Sequence, residues 1–243
     1  MQVKWISHRG ESIDAPENTL SAFRLGMARD TDGLECDIRA TLDRVLVCCH
    51  DETAARTGGR DLAIAEATLA ELRELDFSAG KPEYSGERIP TLVEALAVLR
   101  PGKTFYLEVK GEDPALLDLL LPLLAESKTP LSDIVLICFD SEICRQAKIR
   151  CPELQTLWVV SYSDENPPQP AEVIAALRAC QADGIDINGN RKFIDAAFVA
   201  AIKAEGYYFA TWTIDCVQRA RELISWGVDS ITSNRAAAVR DEL

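Results

Sequence analysis

Eight short apolar runs recur along this chain at intervals that a helix can fill, and that alternation restricts the fold more than any other feature. The runs lie near residues 3–7, 33–38, 104–109, 134–139, 154–160, 183–187, 207–212 and 229–232. Between them stand "ENTLSAFRLGMA", "TLVEALAVL", "PALLDLLLPLLAES", "SEICRQAKIR", "PAEVIAALRAC", "DAAFVAAIKAE" and "CVQRARELISWG", with apolar residues three and four apart. A strand followed by such a helix returns the chain to a parallel neighbour, and eight units of this kind are the number that closes a (β/α)8 barrel. Gly206 and Gly227 fall near two of the helix ends, where a left-handed residue is favoured.

The interval from Ile38 to Phe105 is too long for one unit. It contains a further strand-like run at 45–49 and then "RTGGRD" and "SAGKPEYSGERIP". Residues from about 51 to 88 therefore read as a small insertion above the barrel mouth, and long loops of that sort carry function. With 243 residues and 47% hydrophobic content, the chain suits one domain over 1–243 that includes this insertion.

A net charge of −13 argues against nucleic acid or an anionic membrane as partner, since both favour basic patches. No stretch approaches the ~18 apolar residues of a membrane span. The first residues, "MQVKWISHRG", enter a predicted strand at once, so no export signal is expected. The eight cysteines (Cys36, Cys48, Cys49, Cys138, Cys144, Cys151, Cys180, Cys216) include no C-x-x-C pair and read as small buried hydrophobes in a reducing, cytoplasmic setting. An acidic chain that handles an anion needs local cations, which points to a metal. Nothing in the sequence signals an oligomeric state.

Only two histidines occur, His8 in "HRG" and His50 in "HD", each directly after an apolar run. A strand end is where ligands bind in α/β folds, and an imidazole with an ordinary pKa near ~6.5 can give or take a proton there. Glu35 and Asp37 in "GLECDI" stand two apart, so both carboxylates project to one face. Such a pair is tolerable around a divalent cation, Mg²⁺ or Ca²⁺ by its hard oxygen donors. An edge strand with both acids in water is the alternative. "FYLEVKG" repeats the spacing with Glu108 and Lys110, a third possible ligand and a cation able to hold a phosphate oxygen, or half of an exposed strand. Arg9 follows His8, and in "APENT" Asn18 or Thr19 can cap a helix whose free N–H groups would suit an anion.

Taken in order, "HRG", "PENT", "LECDI", "HD", "LEVK", "ATWTID" and "GVDSITSN" resemble the glycerophosphodiester phosphodiesterase family, from His8 to about Asn234. The resemblance implies a barrel with a small insertion after "HD", hydrolysing a glycerophosphodiester to glycerol 3-phosphate and an alcohol. It implies Glu35, Asp37 and Glu108 as ligands of one divalent cation, His8 and His50 as the acid/base pair, Arg9 and Lys110 as phosphate contacts, and Trp212 beside the glycerol. The chain departs from the family at Asp215, where Asn is common, and at Cys138 and Phe139, where "SF" is frequent. Asp215 reads as a cap of the following helix, away from the metal and acid/base groups. Two other functions compete: a barrel kept only for binding, and a lysophospholipase D-type activity, for which the insertion is too polar to hold an acyl chain.

Overall fold

Among the described residues the strands are β1 (Lys4–Ser7), β2 (Gly33–Ala40), β3 (Leu46–Cys48), β4 (Thr104–Val109), β5 (Ile134–Cys138), β6 (Gln155–Val160), β7 (Gly184–Asn188), β8 (Tyr208–Trp212) and β9 (Ser230–Ser233). The structure, a computed structural model, describes residues 3–243; Met1 and Gln2, with which the expected domain begins, lie outside them. Strand β1 pairs in parallel with both β2 and β9, which closes the sheet. Every other barrel neighbour is parallel too, so eight strands form a closed (β/α)8 barrel. Strand β3 pairs antiparallel with the end of β2, Ile38 opposite Cys48, and stands outside the ring.

The helices are α1 (Leu20–Ala28), α2 (Ala55–Gly58), α3 (Leu69–Leu72), α4 (Leu92–Leu96), α5 (Leu117–Glu126), α6 (Ser141–Arg150), α7 (Pro170–Cys180), α8 (Ala196–Ala204), α9 (Val217–Ser225) and α10 (Ala236–Asp241). Helix α5 begins later than its apolar pattern does. Pro114 opens a tight turn instead, capped by the Asp113 side chain, which accepts from Ala115 N at 2.9 Å. Gly206 and Gly227 follow α8 and α9 at φ of 86° and 85°, where a side chain would be strained.

Alternation along each strand sorts the core into two parts. Leu34, Cys36 and Ile38 of β2 and Phe105, Leu107 and Val109 of β4 face the helices. Between them Tyr106 joins Ile6, Val135, Ile137, Leu157, Val159 and Ala210 inside the barrel. The Tyr106 hydroxyl donates to Ser230 Oγ at 3.1 Å and lies 3.2 Å from the Tyr208 hydroxyl, which makes a hydrogen-bonded floor. Glu108 lies two residues further along β4 than Tyr106 and so stands above that floor, toward the strand ends.

Residues 51–88 form α2, α3 and tight turns around a separate apolar cluster of Val47, Cys49, Ala54, Ile64, Ala67, Leu72, Phe77 and Ile89. Lys81 Nζ donates to Ser12 O at 3.2 Å, tying this segment to the loop after β1. Six cysteines are buried and none is bonded to another, but Cys151 is half-buried and Cys216 is exposed, contrary to expectation. Cys216 is exposed because it occupies the cap position of α9 in the loop that follows β8, outside any strand. No helix among the described residues is long and apolar enough to cross a membrane.

Candidate active site

Both histidines lie just beyond strand ends. His8 continues β1, held by its N–H donating to Ser233 O at 2.8 Å. His50 follows β3, and Arg39 grips its carbonyl oxygen with Nε and Nη2 at 3.0 and 2.9 Å. The two imidazoles line one cavity of about 90 Å³, with Arg9, Glu35, Glu108 and Lys110 on its polar side and Ile137, Phe139, Val159 and Trp212 on its apolar side.

Glu35, Asp37 and Glu108 each bring one oxygen to a common point, all within 4.8 Å of one another, and all three residues are buried. The solvated edge-strand alternative therefore does not hold. Glu35 Oε1 has no hydrogen-bond partner, although Oε2 accepts the backbone N–H of Arg9 at 2.8 Å. Arg9 Nε lies 3.1 Å from Asp37 Oδ2, while Lys110 Nζ lies 2.9 Å from Asp37 Oδ1 and 2.5 Å from Glu108 Oε1. Two cations for three buried carboxylates leave one negative charge over. An unpartnered hard oxygen beside two others at this spacing fits a divalent cation.

The electrostatics follow from that imbalance. Burial, then Asp37 and Glu108, push the Glu35 carboxyl well above its ordinary range. Burial and Asp37 raise Glu108 to about 7 against the pull of Lys110. Asp37 goes the other way: burial favours its neutral form, but Lys110 and Arg9 outweigh it and hold the carboxyl well down. Burial with Arg9 nearby lowers His8 to about 4, and burial also lowers His50.

The rim is a chain of ion pairs. His50 Nδ1 lies 2.7 Å from Asp51 Oδ1, Asp51 Oδ2 accepts from Arg56 Nε at 2.7 Å, and Arg56 pairs with Glu17 at 2.5 and 2.8 Å. Glu17 in turn accepts from Arg9 Nη1 at 2.9 Å. Asp51, held to about 2 by Arg56, stays ionised beside His50.

The sequence matches the Glycerophosphoryl diester phosphodiesterase family over residues 8–238. The chain belongs to that family. It is thereby a phosphoric diester hydrolase. A glycerophosphodiester phosphodiesterase of Caldanaerobacter subterraneus subsp. tengcongensis is 28% identical over 240 residues, covering 96% of this chain and 95% of that one. One from Bacillus subtilis is 24% identical over 94% of this chain and 82% of its own length. A phosphodiesterase of Oleispira antarctica, solved in complex with the product sn-glycerol-3-phosphate, superposes with a TM-score of 0.84 at 28% identity, over 99% of this chain and 96% of that one.

Side chains in and around the site that were not singled out in the sequence include Arg39, Asp51, Arg56, Asp186 and Asn234, and Asn18 was read only as a possible cap. Asn18, expected as a possible cap, donates from Nδ2 to Asp37 Oδ2 at 2.7 Å and accepts Asp37 N at 3.1 Å. Thr19 alone caps α1. Asp186 on β7 reaches the cavity fully buried with Oδ1 unpartnered; its signal, a lone acid among apolar residues in "GIDIN", was present. Asp215 corrects an expectation. Cys216, not Asp215, occupies the cap position of α9, and the Asp215 carboxylate binds the end of β9 instead. Phe139 packs edge-on against Trp212, ring centres 5.7 Å apart, at the apolar side of the cavity.

Proposed function

We propose that this chain hydrolyses glycerophosphodiesters to glycerol 3-phosphate and an alcohol, using one divalent cation, Mg²⁺ or Ca²⁺, and the proton-transfer pair His8 and His50. The observation that carries this reading is the convergence of three buried carboxylates, one with an orphaned oxygen, between two imidazoles at the mouth of a barrel. Glu35, Asp37 and Glu108 would hold the cation, which when bound supplies positive charge against the phosphoryl oxygens. Arg9 and Lys110 add charge from the protein and orient the phosphate.

His8, kept neutral by burial, accepts the proton of the attacking hydroxyl, which belongs to the substrate or to water. His50, in its doubly protonated form with Nδ1–H held by ionised Asp51, donates its Nε2 proton to the departing alkoxide and is left as the neutral imidazole. Each transfer contributes typically ~10²–10⁴ in rate. Trp212, with Phe139 against it, forms the apolar side that the carbon skeleton of glycerol would meet. A cavity of about 90 Å³ suits a phosphate with a short carbon chain better than an acyl chain. The substrate is a small molecule, and no nucleic-acid or membrane-inserted partner is invoked. We take 1–243 as one domain with 51–88 as its insertion, because the second apolar cluster shares β3 with the site.

The test is a panel of glycerophosphodiesters of different head groups, assayed after chelation and with each metal restored. Metal-dependent release of glycerol 3-phosphate is expected. Faster hydrolysis of a micellar lysophospholipid would reassign the substrate, and no turnover of any head group would leave a binding barrel.

A further inference from the structure

We propose that Asp215 is a positioning residue that acts through Asn234 to keep the proton of neutral His8 on Nδ1, leaving Nε2 bare toward the reacting hydroxyl. The inference rests on the reading of His8 as the proton acceptor.

The hydrogen-bond inventory leaves a single arrangement. Asp215 Oδ1 accepts Ser233 Oγ at 2.8 Å and Asn234 N at 2.8 Å, and Oδ2 accepts the Asn234 side chain at 2.6 Å. A carboxylate only accepts, so the Asn234 atom facing it is the NH₂ group. The amide is planar, and its oxygen is thereby turned to His8, 2.7 Å from Nδ1. That oxygen also only accepts, and it takes a second bond from Ser12 Oγ at 3.2 Å. Nδ1 must therefore carry the hydrogen. Nε2 carries the lone pair and lies on the cavity side, 3.9 Å from Glu35 Oε2.

Asp215→Asn breaks the logic with almost no change of shape. Its one oxygen must stay with Ser233 and the Asn234 N–H, so its NH₂ now confronts the Asn234 NH₂. Asn234 turns over, presents a donor to His8, and the imidazole proton moves to Nε2. Exchanging both residues, Asp215→Asn with Asn234→Asp, repairs it: the new carboxylate accepts from residue 215 and again accepts from Nδ1.

The chain has only two histidines, so nitrogen NMR of untagged, histidine-labelled protein resolves each ring, with His50 signals identified by their loss in His50→Ala. Spectra are taken well above the ordinary histidine pKa of about 6.5. Wild type is expected to show Nδ1–H for His8 and Asp215→Asn to show Nε2–H, with kcat lowered on the order of 10²–10⁴-fold and KM little changed. The double exchange should restore both tautomer and kcat. Nε2–H in wild type overturns the proposal, and that measurement needs no variant to fold. An unmoved tautomer in Asp215→Asn, while His8→Ala abolishes turnover, overturns it and leaves the role of His8 standing. A moved tautomer with kcat intact upholds the positioning and overturns the base role instead.

Discussion

At the scale of single residues, the site is built from carboxylates under unlike constraints. Glu35 has one oxygen with no partner and two like-charged neighbours, so Glu35→Gln removes repulsion as well as one of the three carboxylates proposed to hold the cation. In chelator the variant should unfold at a higher temperature than wild type. Added Mg²⁺ should raise the wild-type midpoint, since a ligand at a hundred times its Kd stabilises by about 2.7 kcal/mol, and should raise that of the variant far less. Equal shifts in differential scanning fluorimetry would remove Glu35 from the cation site. Asp186 gives a pH prediction. Burial and then Glu108 raise its carboxyl well above the ordinary value, so in the folded protein it stays protonated where the unfolded chain would ionise it. Folding is therefore penalised increasingly as pH rises above about 3.9, up to the raised folded value. Asp186→Asn should stabilise the protein at pH near neutrality and lose that advantage in acid; a midpoint difference that does not change with pH would refute this.

At the scale of elements, the sequence was most readable where one period ruled. Strand residues such as Leu34, Cys36 and Ile38 alternate with Glu35 and Asp37, and that alternation alone places the acids on one face. Helix α6 was readable over its full span because Ser141–Arg150 carries Asp140 as a cap and basic residues in its last turn. What escaped were contacts that no local pattern encodes. Asn234 meets His8 across 226 positions, and Arg56 meets Glu17 across 39. Asp215 was misjudged for the same reason: its position before a helix suggests a cap, whereas its partners belong to β9. The rim formed by α2 is testable as an element. Arg56→Ala should free Asp51 and loosen His50, lowering kcat about tenfold while leaving the Mg²⁺-induced thermal shift intact, because Arg56 touches no carboxylate of the cluster. Unchanged kcat would show that His50 needs no such support.

For the whole molecule, the barrel brings two cations to an acidic cluster, and because three buried carboxylates outnumber them, an anionic substrate calls for the added charge of a divalent cation. A net charge of −13 disfavours approach of a phosphodiester, yet Arg9 and Lys110 converge beside the carboxylates at the strand ends. The fold was legible because eight strand and helix units can close in few ways. The candidate site was legible because scarce histidines and paired acids fell at strand ends, and the family was legible because the ordered motifs match it. The central claim is that this cluster, loaded with a divalent cation, hydrolyses glycerophosphodiesters. The most direct measurement is release of glycerol 3-phosphate by chelated protein before and after Mg²⁺ or Ca²⁺ is restored, with His8→Ala alongside. No release before metal, full release after it, and loss of at least ~10²-fold in His8→Ala are expected. Undiminished release from thoroughly chelated protein, or near wild-type release by His8→Ala, would contradict the claim.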